Sequence, residues 1–281
     1  MALLLFPRVG TAENVMTQTQ CREGFVAFSE LIDEAPPANG LLVEVTDDGW
    51  CRLEENDGDV LWRAEGLERF LNGKLAPIAL EAEFHDIDTA HVYGLGALGL
   101  DDVSENLFKF SIRQIPGEKK LVGEHVVVDF GDVGRLVMSF RANGVDLSSH
   151  QTAMASIGTF RAVEVALELD VKQRLAKAFL TSVQQEQRTE ADFLEIVAGI
   201  PGVSLSGKSR AALERFSSEW VQSGGRLILR ARSQAGVGLL QLRAGTFWLK
   251  TGNPISKSLG VWLSGVTVEA DWIPAAVETQ E

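Results

Sequence analysis

The chain has 281 residues, 45% of them hydrophobic, and a formal charge of −13 from 26 Lys and Arg against 39 Asp and Glu. This length and apolar content are enough for a packed core in one large domain or two small ones. The acidic balance repels a phosphate backbone, so nucleic acid is not an expected partner. The apolar runs are far shorter than the roughly 20 residues of a membrane-spanning helix, so no transmembrane span is predicted.

Residues 1–12 have the pattern of a signal-peptide remnant. A short apolar run, Ala2 to Phe6, precedes Gly10 and Ala12, which stand at the small-residue positions of a cleavage site before Glu13. The basic start of such a signal is missing, and the alternative is an ordinary N-terminal tail of a cytosolic protein. We expect export to the periplasm or out of the cell, with the mature chain beginning at residue 13.

The only two cysteines, Cys21 and Cys51, predict a disulfide. Residues 19–34 have the periodicity of an amphipathic helix, and Cys21 lies on its apolar stripe. Cys51 lies on a strand that follows the hairpin signal Asp48-Gly49, and it shares a face with Leu53. Both sulfurs can therefore meet in the core, which fits an oxidising compartment. Two unlinked buried thiols are the alternative.

The chain after this hairpin has mainly the pattern of an antiparallel sheet. A second turn at Asn56-Asp57-Gly58 and a short amphipathic helix that ends at Asn72-Gly73 precede a meander. The predicted strands of the meander are Ile78 to Ile87, Leu107 to Ile115, Leu121 to Phe130, Arg135 to Arg141 and Val163 to Asp170.

A helical insert around 171–222 interrupts the strands, because three apolar stripes there have helical spacing. Further strands are predicted at Leu227 to Arg232, Gly236 to Leu242 and Thr246 to Lys250, and a final one carries Val266 to Trp272. The predicted fold class is therefore α+β, a mainly antiparallel sheet of hairpins and meander with an N-terminal helix and this helical insert. Residues 13–281 are expected to form a single domain, with a seam between two subdomains near 143–156 as the alternative.

The string Gly202 to Ser209 matches the phosphate-loop pattern G-x-x-x-x-G-K-S. In such a loop Lys208 reaches phosphate oxygens and Ser209 holds magnesium. The preceding residues have helical rather than strand periodicity and end in Pro201, which argues against this interpretation. We favour a loop between two helices, with Ser206 as the N-cap of the second.

A second candidate is the sequence His85-Asp86-Ile87-Asp88-Thr89-Ala90-His91. His85 and His91 share one face of a strand while Asp86 and Asp88 share the other, so the four converge only if a turn lies between them. With His125 as a further ligand, such a turn would form a metal site. We favour a polar strand end with solvated histidines and assign no metal ligand.

No group of residues predicts nucleophilic catalysis. The chain has no G-x-S-x-G elbow, and His150 stands in a Ser/Gln-rich loop without an orienting acid. Three tryptophans near the end, Trp248, Trp262 and Trp272, either belong to the core or line an open sheet that holds an apolar molecule.

The sequence therefore favours an exported, non-enzymatic binding or interaction protein, without a cofactor, for an apolar, lipid-like ligand or a protein partner. A hydrolase or metal-dependent enzyme that uses His85, Asp86, Asp88 and His91 is the alternative, and nucleotide binding at 202–209 is a more distant one.

Overall fold

The computed structural model describes residues 16–31, 43–55, 58–86, 100, 106–178, 190–250 and 255–275. The predicted leader at 1–12 lies outside these ranges. The strands are β1 (Val43–Val45), β2 (Cys51–Glu55), β3 (Gly58–Glu65), β4 (Ala79–His85), β5 (Leu107–Ile115), β6 (Lys120–Asp129), β7 (Gly134–Asn143), β8 (Arg161–Val171), β9 (Gly225–Gly238) and β10 (Thr267–Pro274). The helices are α1 (Gln18–Leu31), α2 (Leu67–Gly73), α3 (His150–Thr159), α4 (Glu190–Gly199), α5 (Gly207–Ser223), α6 (Leu239–Lys250) and α7 (Ile255–Trp262).

The described strands form one antiparallel sheet of ten strands in sequence order. This is the α+β meander that the sequence predicts, with the N-terminal helix and the helical insert in their expected places. The insert consists of a helical stretch at 173–178 followed by α4 and α5, all between β8 and β9. The proposed seam at 143–156 lies between β7 and β8, which pair along their whole length.

The first end of the sheet is covered by α1. Cys21 and Cys51 are joined by a disulfide with a Cα–Cα distance of 5.5 Å, and both residues are fully buried. Around them pack Leu53, Trp62 and Phe70. The pairing agrees with the sequence prediction, and a disulfide is consistent with an oxidising, extracytoplasmic location.

The other end of the sheet is covered by α5. Its apolar stripe, Leu213 and Phe216, packs against Leu227 of β9 and Trp272 of β10. The rings of Phe216 and Trp272 meet edge to face with centroids 5.1 Å apart, and the indole Nε1 of Trp272 donates to Glu219 over 2.8 Å. A buried indole N–H needs such an acceptor. Each end of the sheet therefore has a core of its own.

Several local predictions are wrong. The strands predicted at Gly236 to Leu242 and Thr246 to Lys250 are instead the end of β9 and the helix α6. The Ser/Gln-rich segment around His150 is α3, begun by a capping box in which Ser149 and Thr152 bond each other's backbone N–H. The helix after β3 ends at Gly73, within the predicted Asn72-Gly73, but its left-handed C-cap residue is Lys74 (φ 52°) rather than the glycine.

Candidate functional site

One face of the sheet is apolar from the first strand to the last. Its first row of cross-strand neighbours is Val43, Leu53, Val60, Phe84, Phe108, Val128, Leu136, Leu169, Leu227 and Trp272. The second row is Val45, Cys51, Trp62, Ala82, Phe110, Val126, Met138, Leu167, Leu229 and Ala270. Neither row contains a polar side chain, so an apolar stripe crosses every strand of the sheet.

A third row continues the apolar face over eight strands. It is formed by Ala64, Leu80, Ile112, Gly123, Phe140, Val165, Ala231 and Val268. Gly123 has a particular role in this row, because the ring of Phe140 on the next strand lies over it. A Cβ added to Gly123 would come within 2.2 Å of that ring, so the glycine allows the aromatic ring to lie flat on β6.

A β-bulge in β6 brings this third row onto the apolar face, and a second bulge, in β8, lies beyond the row. Glu124 is the extra residue of β6 against both neighbouring strands, and Val163 is the extra residue of β8 against β7. Strict alternation back from Val126 would put Glu124 and Val122 on the apolar face, whereas the bulge puts Gly123 and Leu121 there. The bulge of β6 therefore keeps the carboxylate of Glu124 off this surface.

The apolar face is buried at its two ends and partly exposed in its middle. At the ends, Leu53, Trp62, Leu227 and Trp272 are between 1% and 6% exposed beneath α1 and α5. The central apolar face consists of partly exposed side chains on β5 to β8: Phe108, Phe110, Val126, Met138, Phe140 and Leu167. An apolar surface of this kind, flanked by two covered ends, is the strongest candidate for a binding site on the described residues.

Aromatic rings line the side of this surface that is nearer to α1. The ring of Phe108 lies 5.6 Å from that of Phe84 and 5.7 Å from that of Phe110, measured between centroids. Towards β8 the lining becomes aliphatic, with Met138 directly opposite Leu167. Offset rings and a flexible thioether adapt readily to an apolar guest.

The opposite face of the sheet is charged and carries ion pairs between neighbouring strands. Arg63 bonds Glu81 over 2.7 Å and Arg226 bonds Glu168 over 3.1 Å, while Lys109 bonds Glu83. Burial alone would raise the pKa of Glu83, but the hydrogen bond and charge of Lys109, with a smaller contribution from His85, hold that pKa below its ordinary value. The two faces therefore differ sharply in polarity.

An open cleft of about 600 Å³ lies on the charged face beside the bulges. Its lining includes Arg141, Glu164 and Arg232. The two guanidinium groups share the one carboxylate, at 3.5 Å and 3.0 Å respectively, and Arg232 also lies 4.0 Å from Glu269. Because these charges already compensate one another, the cleft is a weaker candidate than the central apolar face.

The two described histidines of the hypothetical metal site are not brought together. His85 is the last residue of β4, and its Nε2 lies 3.4 Å from Glu83. His125 belongs to β6 and lies opposite Ser111 of β5. Two inter-strand spacings and four residues of register separate these histidines, which corresponds to roughly 16 Å. Asp88 and His91 lie outside the described residues. Within the described ranges, no group of three His, Cys, Asp or Glu side chains is placed to hold a metal ion.

The phosphate-loop string has a structural role. It follows the helix α4 rather than a strand, and Ser206 caps α5 by accepting from the backbone N–H of Ser209, as the sequence predicts. Lys208 bonds Asp271 over 2.9 Å, which raises the pKa of its ammonium group. Ser209 is 4% exposed. Lys208 and Ser209, the two side chains that would bind phosphate and magnesium, therefore already have partners within the protein.

The same string covers the outer edge of β10. The backbone N–H of Val268 donates to the carbonyl oxygen of Ser204 over 2.6 Å, and that of Ala270 donates to the hydroxyl of Ser209 over 3.1 Å. At the other edge of the sheet, Gln18 of α1 donates to the carbonyl oxygen of Val43 over 3.0 Å. Bonds of this kind prevent an edge strand from recruiting another chain.

The three tryptophans have different environments. Trp272 is buried in the core beneath α5, and Trp262 joins α7 to α6 by donating from Nε1 to the carbonyl oxygen of Leu242 over 2.8 Å. The side chain of Trp248 lies outside the described residues. Trp262 and Trp272 therefore do not line the central apolar face, which is lined by phenylalanine and aliphatic residues of the meander.

Comparison of the chain with family models, with curated proteins and with solved structures finds no match.

Proposed function

We propose that the chain is an exported, non-enzymatic binding protein that holds an apolar, lipid-like ligand on its central apolar face. The observation that carries the proposal is the course of the two apolar rows. They cross all ten strands, and their side chains on β5 to β8 are partly exposed, apart from the buried Val128. Burial of apolar surface is the main driving force for binding such a ligand.

The shape of the exposed area suits an elongated molecule. The rows run perpendicular to the strands, and the step from β5 to β8 covers roughly 14 Å at the usual spacing between strands. No charged side chain belongs to the three rows, so the surface offers contacts to a hydrocarbon body and none to a charged group. A long acyl chain that lies across the strands meets these conditions.

The hydrogen bonds at the two edge strands favour a small ligand over a protein partner. A peptide that joins a sheet as an extra strand needs free backbone groups at an edge. Here Ser204 and Ser209 accept from two N–H groups of β10, those of Val268 and Ala270, and Gln18 bonds a carbonyl group of β1. A protein partner would have to dock on the central apolar face itself, between the two helix-covered ends.

The disulfide supports the exported location, in the periplasm or outside the cell. A bridge between Cys21 and Cys51 persists in an oxidising compartment and is rare in the cytosol. Acyl chains are poorly soluble in the water of such a compartment, so a protein that covers them keeps them dispersed.

The test is to purify the folded chain without detergent, extract it with organic solvent and identify the extract by mass spectrometry. We expect a stoichiometric acyl-chain compound from the wild type and a much reduced amount from Met138→Lys. An empty extract, together with a co-purifying protein that Met138→Lys releases, would favour the protein partner instead. Equal extracts from both proteins would rule out the central apolar face as the binding site.

A further inference from the structure

The helix α6 exposes apolar side chains at a second place, away from the central apolar face. Leu240 is 82% exposed, Phe247 is 63% exposed and Leu242 is 36% exposed. Leu240, Ala244 and Phe247 are spaced at four and three residues and lie on one side of the helix, with Arg243 exposed beside them. We call Leu240, Arg243, Ala244 and Phe247 the outer face of α6.

The other side of α6 is fixed against α7. Gln241 donates to the carbonyl oxygen of Val261 over 2.9 Å, and Trp262 donates back to that of Leu242 over 2.8 Å. Gly245 lies against the indole of Trp262, where a Cβ would come within 2.1 Å of Nε1. α7 packs in turn against α4. The outer face therefore points away from a well-packed helical pair.

The charge of this part of the chain is opposite to that of the whole. From Trp220 to Val268 the sequence has no Asp or Glu, although the chain as a whole carries −13. Three basic residues belong to the helical pair itself, Arg243 and Lys250 of α6 and Lys257 of α7. An exposed apolar stripe on a helix with a basic sequence is typical of helices that lie in a membrane interface.

We propose that the outer face of α6 docks on the surface of a lipid bilayer that contains anionic lipids. The apolar side chains would enter the boundary between headgroups and acyl chains, while the basic residues are attracted to the anionic headgroups. The helix has 12 residues, which is too short to cross a bilayer. Among the described residues no helix has the length and apolarity of a membrane span. The docking is therefore peripheral.

This proposal is independent of the ligand on the central apolar face, since docking needs only α6. The experiment is co-sedimentation of the full chain with vesicles of phosphatidylcholine alone and of phosphatidylcholine mixed with phosphatidylglycerol. We expect binding to the mixed vesicles that weakens with rising salt, and little binding to phosphatidylcholine alone. Leu240→Glu should weaken binding to the mixed vesicles about tenfold or more, and Arg243→Glu should weaken it as well.

The matched control is Ile273→Glu, because Ile273 is also exposed, at 45%, but lies at the far end of β10 from the α6–α7 pair. This variant should bind as the wild type does. Absence of binding to mixed vesicles, or equal loss in Leu240→Glu and Ile273→Glu, would overturn the proposal. So would a wild-type chain that forms dimers which Leu240→Glu dissociates, since the outer face would then be covered by a second copy.

Discussion

The hydroxyl group of Ser209, at the start of α5, accepts a hydrogen bond from the backbone N–H of Ala270 on β10 over 3.1 Å. Both residues are buried, at 4% and 2% exposure. The segment that resembles a phosphate loop thus accepts hydrogen bonds from the outer edge of the last strand of the sheet. An N–H group in such a place costs free energy when its acceptor is removed.

Ser209→Ala should therefore lower the free energy of unfolding by about 1–3 kcal/mol, because the N–H of Ala270 loses its acceptor in a buried position. Urea denaturation followed by circular dichroism measures this loss. Ser218→Ala, which changes an exposed hydroxyl on the same helix, is the control and should change stability by less than about 0.5 kcal/mol. Equal stability of the two variants would show that the edge is held by other contacts.

The disulfide should contribute substantially to the stability of the first core. We expect replacement of Cys21 and Cys51 by serine to cost about 2–5 kcal/mol, the usual effect of losing a native bridge, because α1 then loses its covalent attachment to β2. Urea denaturation with and without a reductant measures this cost. The reductant should destabilise the wild type and leave the double variant unchanged. A wild type that is insensitive to full reduction would contradict the prediction.

Gly123→Ala should destabilise the sheet by about 1–3 kcal/mol, because the added methyl group would displace the ring of Phe140 from its place over β6. Thermal unfolding monitored by calorimetry is the measurement. Gly117→Ala is matched to it, since a Cβ at Gly117 meets no atom within 4 Å. If both variants melt at the wild-type temperature, Phe140 does not lie flat on the neighbouring strand.

Glu83→Gln should reduce stability at neutral pH by about 0.5–1 kcal/mol, a value that allows for solvent screening of a partly exposed pair. The pKa of Glu83 is lower in the folded than in the unfolded chain, so its contribution is complete above the ordinary value of 4.5 and is lost as pH falls through the folded pKa. The difference from the wild type, measured by urea denaturation, should therefore shrink towards zero at strongly acidic pH. A difference that is constant with pH would mean that the charge of Glu83 is not involved.

Much of the fold could be predicted because single strands and helices show their own periodicity. In β8, Leu167 and Leu169 alternate with charged Glu168 and Asp170, so this strand and its apolar side are visible in the sequence. The apolar stripes of α1 and α5 likewise identify the helices, and the stripe of α1 places Cys21 in the core. In these elements the local pattern and the tertiary packing agree.

The helix α6 could not be predicted in the same way. Its residues are apolar on several sides, and the helix is stabilised by distant contacts, chiefly the seating of Trp262 against Gly245. The central apolar face could not be predicted from the sequence either, because it depends on the register between strands. The bulge at Glu124 sets that register in β6, and no pattern within β6 alone shows which neighbour each side chain meets.

A pair of adjacent substitutions compares the two faces of the sheet at one point. Met138 belongs to the central apolar face, whereas Ser139 lies on the charged face. Met138→Lys should weaken the binding of a fluorescent acyl-chain probe about tenfold or more, since a buried apolar contact is replaced by a charge. Ser139→Lys should leave the affinity unchanged. Melting temperatures of both variants establish that they are folded, and equal affinities would contradict the prediction.

The most direct measurement is photochemical labelling of the folded chain with a diazirine-bearing fatty acid, followed by mass-spectrometric mapping of the modified residues. If the central apolar face holds a lipid-like ligand, the label is found on Phe108, Phe110, Val126, Met138, Phe140 or Leu167, and an excess of unlabelled fatty acid suppresses it. Labelling that is confined to other surfaces, or that no competitor reduces, would contradict the proposed function.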